Sequence, residues 1–267
     1  MAIEFRELPP GAALRQTVEA FWVTTVRRES SAASVGLTVL PDGCMDLIYR
    51  LDSAGGGELL VSGPDLGPRT ATLDALIAYV GLRFQPAAAR AVLEVEPLPL
   101  VGGGVVPARS LSGRLARLEA RLAGCGTVDV VVWRLHAEVE VLAGETTAPR
   151  WPPRRVREAV ARLRGLAPGE RVSAVARAVG VTTRTLHREL VAWTGLSPVL
   201  LARIFRFQAA LARVKRESGP LALLAAEAGY ADQAHMARDF RALAGVPPSA
   251  LAQSPIRSSR AGRLRAI

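Results

Sequence analysis

"TLHRELVAWTGLSP", Thr185–Pro198, and "AHMARDFRALAGVPP", Ala234–Pro248, are one pattern written twice. Leu186, Arg188, Leu190, Ala192, Gly195 and Pro198 answer to Met236, Arg238, Phe240, Ala242, Gly245 and Pro248, each pair 50 residues apart. In a helix the apolar pair of each copy, at i and i+4, shares one face, and the arginine between them lies on another. Working outward, Ala176 stands four before Gly180 and Gly180 six before Leu186; Ala225 stands four before Gly229 and Gly229 seven before Met236. The offset is therefore 49 before the turn and 50 after it, as one extra turn residue in the second copy produces. Small Ala lets two helices cross closely, and Gly after a helix takes a positive φ. Each copy predicts two short helices joined by a glycine turn, a helix-turn-helix unit. The copies are too few to be a solenoid.

Between the copies, "SPVLLARIFRFQAALARVKRE" (Ser197–Glu217) reads as a long connecting helix, and Val156, Val160 and Leu163 line one face of a helix ahead of the first copy. The helical pattern begins after "GETTAPRWPPRR" (Gly144–Arg155), where Thr, Pro and Gly interrupt two periodic segments. The divisions expected are an N-terminal sensor or dimerisation domain over 1–145, a linker over 146–153, a DNA-reading domain over 154–253 and a flexible basic tail over 254–267.

Charge divides at the same place. Residues 151–267 hold 20 basic and 7 acidic residues, a net of +13; the remaining 14 basic and 17 acidic residues give 1–150 a net of −3. A basic half joined to a mildly acidic one suggests that one part meets a polyanion. Charge alone does not separate DNA from RNA, an anionic membrane or solubility. No apolar run is long enough to span a bilayer, and the first residues lack the layout of a signal peptide, so no membrane is expected and the cytoplasm is the expected compartment. Cys44 and Cys125 are too few for a disulfide framework or a four-cysteine zinc site. Arginine accounts for 33 of the 34 basic residues, with Lys215 the one lysine, which points to a GC-rich bacterial coding sequence.

In a helix-turn-helix the second helix presents its outward, N-terminal side chains to base edges in the major groove. With Leu186, Leu190 and Trp193 inward, Thr183, Arg184, His187 and Arg188 face out, and Thr182 is placed to cap. In the second copy Met236 and Phe240 turn in, Gln233, His235 and Arg238 face out, and Asp232 is placed to cap. Arg pairs bidentately with guanine and Gln with adenine, while His donates to a base or phosphate. Arg203, Arg206, Arg213, Lys215 and Arg216 of the connecting helix are the phosphate candidates. For any one of these the bland reading is a solvated face or a cap; the repetition of inward frame and polar outward face is what favours DNA.

From about Arg154 to Leu251 the chain resembles the double helix-turn-helix domain of AraC/XylS-type transcription regulators, above all in "GYADQAHMARDFRALAGVPPS". The resemblance implies an all-α reader whose connecting helix holds two reading helices in successive major grooves of double-stranded DNA. It also implies RNA polymerase as a partner, a role in activation, a nucleoid-associated location and no cofactor.

The N-terminal half reads as an α+β, β-rich domain with helices after it. "VGLTVLPDGCMDLIYRL" is two apolar runs around the turn residues Pro41-Asp42-Gly43, and "GGGELLVSG" and "ALIAYVGLRF" are further strand candidates. Leu111, Leu115, Leu118 and Leu122 begin a helical stripe, and Val131, Leu135, Val139 and Leu142 a second; the first packs either on its own sheet or on a second subunit, which makes a homodimer an expectation. "VLPDGCMDLIY" and "GLRFQPAAA" resemble an uncharacterised N-terminal domain of some such regulators, with Ala87 where that pattern has Gly. The strand pattern is compatible with the cupin-like barrel of the sugar-sensing members.

Asp42, Cys44, Asp46 and Arg83 are the polar residues embedded in those segments and the candidates for an unknown small-molecule effector. Strand alternation predicts that Cys44 and Asp46 share a face. The bland reading of Cys44 is a small buried hydrophobe. His136 is the one histidine of this half, so no His-built metal site is expected, and no nucleophile constellation suggests catalysis. Two further readings stand beside the regulator: an enzymatic barrel tethered to DNA by the basic half, which needs acids and a histidine around one cavity, and an architectural nucleic-acid binder.

Overall fold

The computed structural model describes residues 2–27, 34–74, 77–146, 151–216, 219–252 and 264–266. Its N-terminal part is built on β1 (Ala2–Leu8), β2 (Val18–Arg27), β3 (Ser34–Val39), β4 (Asp46–Leu51), β5 (Gly57–Ser62), β6 (Arg69–Asp74), β7 (Ala78–Phe84) and β8 (Val105–Pro107). A short strand near the C-terminus, β9 (Leu264–Ala266), joins them. All pairings are antiparallel: β1-β2-β7-β4-β5-β8 forms one sheet and β6-β3-β9 a second. The runs flanking Pro41-Asp42-Gly43 are thus not partners of each other. β3 lies in the small sheet and β4 in the large one, so this turn is a corner between sheets. Of the basic tail only 264–266 is described, paired to β3; residues 253–263 and 267 lie outside the described residues.

The helices α1 (Ala88–Leu93), α2 (Gly113–Leu122) and α3 (Val128–Gly144) cover the other face of the large sheet. Leu115, Leu118 and Leu122 are fully buried among Leu47, Tyr49, Leu59 and Val61, and Val131, Leu135 and Val139 join them. The leucine stripe is thereby used within the chain, not as a seam for a second subunit. Each fully buried Leu contributes roughly 1.5–3 kcal/mol, so the stripe is the main adhesive between helices and sheet. Ser112 and Thr127 cap α2 and α3, accepting from the backbone N–H groups of Leu115 and Val130.

Ala87 keeps the left-handed turn that glycine makes more cheaply: its φ is 75° at the start of α1. That conformation costs an L-residue about 1–2 kcal/mol.

The C-terminal part is helical throughout: α4 (Arg154–Arg164), α5 (Val172–Ala178), α6 (Thr183–Thr194), α7 (Pro198–Arg216), α8 (Leu221–Glu227), α9 (Gln233–Ala244) and α10 (Pro248–Ala252). α5–α6 and α8–α9 are the two units. Their turns run over 179–182 and 228–232, so the second is longer by the one residue that the sequence offset requires. Gly180 and Gly229 take φ of 73° and 80° in them. α7 threads between the units, burying Leu201, Ile204, Phe205, Phe207, Ala210, Leu211 and Val214, and Phe207 meets Phe240 edge-on at 5.0 Å. No single described helix is long and apolar enough to cross a membrane.

The two parts are docked. Leu40 and Ala87 are buried in the helical core, Gln208 Nε2 donates to the Pro41 carbonyl at 2.6 Å, and Arg90 donates to the Ala192 carbonyl at 2.7 Å while lying 4.9 Å over the Trp193 ring. Gly43 sits at φ 78°, and a Cβ there would approach Leu201 Cδ1 to 2.7 Å, so the corner turn seats directly on the connecting helix.

Candidate nucleic-acid interface

The second helix of each unit, α6 and α9, is started by a side-chain cap. Thr182 Oγ1 accepts from the N–H of Thr185 at 3.1 Å, and Asp232 Oδ1 accepts from the N–H of His235 at 2.6 Å. Both helices end on a left-handed glycine, Gly195 and Gly245. Leu186 and Leu190 of α6, and Met236 and Phe240 of α9, are buried; Thr183, Arg184, His187 and Arg188, and Gln233 and Arg238, are exposed.

Ion pairing separates the arginines of this half into two sets. Arg155 forks onto Glu189, Arg162 pairs with Glu158, Arg203 with Asp239 and Arg213 with Glu227. Arg184, Arg188 and Arg238 have no carboxylate partner among the described residues. Exposed Arg171, at the N-cap of α5, and Arg177, within α5, are in the same position and escaped the sequence reading. Exposed Arg154 and Arg157 of α4 and Arg241 in the last turn of α9 are also without a carboxylate partner among the described residues, so it is the position of Arg184, Arg188 and Arg238 on the outward faces that leaves their hydrogen-bonding forks open to base edges or phosphates.

Three candidates take other places. Arg203 Nε lies 2.7 Å from Oδ1 of Asp239, whose side chain is 7% exposed, so it stitches α7 to α9. Arg206 lies 5.6 Å over the Tyr230 ring, and His235, partly buried, meets that ring edge-on at 5.1 Å. Burial first, then the charge of Asp239, pushes the Tyr230 hydroxyl pKa well up, which keeps it protonated. Of the remaining phosphate candidates, Arg213 is paired with Glu227, burial pushes the Lys215 ammonium down to about 8, and Arg216 is exposed. The connecting helix is packed by both units, so most of its basic residues are spent as stitches. Asp239 was the missed signal: a carboxylate three residues after Met236 on the inward face needs a buried partner.

In the N-terminal part, Asp42, Asp46 and Arg83 converge. Arg83 Nε is 3.0 Å from Asp42 Oδ2 and 3.5 Å from Asp46 Oδ1, and Trp22 Nε1 donates to Asp46 Oδ1 at 2.9 Å. Asp46 and Arg83 line a cavity of about 470 Å³ between the two sheets. Gly81 makes room for the wall formed by Trp22, because a Cβ there would fall 2.3 Å from the indole. Cys44 does not share the face of Asp46. It precedes β4 in the corner turn, its N–H bonds the Asp42 carboxylate at 2.7 Å, and its buried Sγ lies 3.2 Å from Glu19 Oε2. Strand alternation failed there because the strand begins at Asp46. No histidine lines the cavity, and no cluster of His, Cys, Asp or Glu suited to a metal ion occurs among the described residues.

Two helix-turn-helix units packed on one connecting helix define a DNA-binding transcription regulator. The sequence matches the helix-turn-helix domain family over residues 175–254 and a domain of unknown function (DUF6597) over residues 6–102. The chain carries an AraC-type helix-turn-helix domain at its C-terminus, and α5–α6 and α8–α9 are its two units. No curated protein matches it. Similar solved structures include ToxT from Vibrio cholerae O395, at 8% identity and TM-score 0.42 over 82% of this chain and 95% of that one. Another is unsaturated fatty acid bound wild-type ToxT from Vibrio cholerae strain SCE256, at 10% identity and TM-score 0.40 over 94% of each chain.

Proposed function

We propose that this regulator reads DNA sequence with α6 and α9 together, each in one of two successive major-groove segments on the same face of the duplex. The observation that carries the reading is the duplication itself: two capped helices with exposed, polar N-terminal faces whose arginines have no carboxylate partner among the described residues, joined by one largely buried helix. Thr183, Arg184, His187 and Arg188 read the first segment; Gln233 and Arg238 read the second. Specificity is tested by comparing the affinity of the full chain for DNA upstream of its own gene with that for scrambled DNA at ~0.15 M salt. A ratio of roughly 10³ or more is expected, and equal affinities would remove the reading.

Within it, Arg188→Ala and Arg238→Ala each weaken binding by roughly 1–3 kcal/mol and relax preference at one base pair. Competition titrations against single-base variants of the site check this. Uniform weakening on every variant would reassign that arginine to phosphate.

The N-terminal domain is the modulating half, with its effector in the cavity beside Asp46 and Arg83. Coupling runs through the corner turn: Asp42 holds Arg83 on one side, while Leu40, the Pro41 carbonyl and Gly43 seat on α7 on the other. A change at Arg83 thus reaches the helix that sets the two readers. The enzymatic alternative needed a histidine among the acids, and the cavity lining supplies none.

A further inference from the structure

We infer that Arg90, on the N-terminal domain, is a positioning residue for the first reading helix, so that the base block read by α6 depends on that domain and the block read by α9 does not. The inference rests on the two-reader proposal above and adds an asymmetry between the readers.

Arg90 ties the two parts together through one guanidinium. Nη1 donates to the Ala192 carbonyl at 2.7 Å, Nη2 donates to Glu96 Oε1 at 2.8 Å, and the group lies 4.9 Å over the Trp193 ring. Ala192 and Trp193 belong to the last turn of α6, where the helix carbonyls have no partner further along the helix. A cation there also meets the negative end of the helix dipole. Beside it, Gly195 is buried so closely against the N-terminal domain that a Cβ there would fall 2.6 Å from Val101 Cγ2. The seat itself is stiff. Ala89, Val92 and Leu93 of α1 are buried in the core of the large sheet, and Gly63, just after β5, packs on Leu100 so tightly that a Cβ would overlap its carbonyl.

The second reader is held differently. Fifty residues on from Ala192 and Gly195, Ala242 and Gly245 are exposed. Gly67 and Pro68 stand alongside, and a Cβ on Gly67 would lie 3.4 Å from the Ala242 carbonyl oxygen. A glycine and a proline have no side-chain donor to offer that carbonyl.

The length of the helix makes its far end sensitive to this hold. With 12 residues, α6 is about 18 Å long. A tilt of about 10° about its C-terminal end moves its N-terminal end by about 3 Å, close to the ~3.4 Å rise of one base pair. Arg184 lies in the first turn and Arg188 in the second, so their register on the bases follows the tilt. Leu186 and Leu190 bury α6 through apolar contacts, which are non-directional. The Arg90 hydrogen bond and ring contact supply the direction.

The test measures the two blocks separately with the full chain. Equilibrium titrations compare a selected DNA site with two altered forms, one with each block scrambled, the blocks being assigned to α6 and α9 by Arg188→Ala and Arg238→Ala. Arg90→Ala is expected to lower discrimination in the α6 block by about fivefold or more and to leave that in the α9 block within about twofold of the unmodified chain. Arg90→Lys keeps a donor for the Ala192 carbonyl and loses the fork, so a smaller loss confined to the same block is expected. Melting curves check that each variant is folded; if Arg90→Ala is not, Arg90→Lys decides. Equal losses in both blocks, or none in either, overturn the positioning role and leave the two-reader proposal standing. An unmodified chain that distinguishes neither block from scrambled DNA overturns that proposal, and this inference with it.

Discussion

Arg203→Ala destabilises the C-terminal domain by about 3–5 kcal/mol, and more than Asp239→Asn does. The asymmetry follows from burial. The Asp239 side chain is 7% exposed and that of Arg203 is 39% exposed. Removing the arginine leaves a carboxylate inside the helical core with no cation, the costly way to break a buried pair. Removing the carboxylate leaves a guanidinium that can swing to water. Asp239 Oδ2 already lacks a hydrogen-bond partner, and the neighbouring Tyr230 hydroxyl is a neutral donor that does not replace the lost cation. The pair joins α7 to α9, and the first damage falls on the second reader. Urea titrations of the unmodified chain and both variants, followed by helical circular dichroism, measure the difference; equal costs would contradict the account. In footprints of Arg203→Ala the block read by α9 should fade before the one read by α6.

Leu118→Ala lowers the stability of the N-terminal domain by about 2–5 kcal/mol without altering the sedimentation coefficient of the folded protein. Leu118 is fully buried against the chain's own sheet, and its truncation leaves a cavity that the surrounding leucines close only in part. A stripe used as a seam between subunits would behave in the opposite way, with dissociation on dilution and a small change in monomer stability. The homodimer expected from the stripe thus loses its structural basis, since Leu115, Leu118 and Leu122 are all covered within one chain.

The helical half was legible because its information is local. Caps, glycine turns and inward stripes lie within about one helix of each other, and their recurrence at an offset of 49 to 50 residues fixed the pairing of units. The β-rich half was legible as strands, yet the division into two sheets was not. Whether β3 pairs with β4 or with β6 is decided by contacts across the sheet, not by the residues flanking Pro41 and Gly43. Periodicity also separated the face of α9 that meets its own core from the rest, but it could not show what a third element covers. His235 and Arg206 read as outward on their helices and are drawn in by the Tyr230 ring, and Arg203 is drawn in by Asp239. In the cavity, Asp46 and Arg83 were found through their embedding in strands. Trp22, Arg50, Arg69 and Tyr79 come from other strands, and only the fold assembles them.

Selection of bound fragments from genomic DNA by the full-length protein tests the central claim most directly. The account predicts a motif of two preferred blocks about ten base pairs apart, one for each reading helix, with Arg188→Ala relaxing a base in one block and Arg238→Ala a base in the other. A single preferred block, or enrichment that follows charge without sequence, would contradict it.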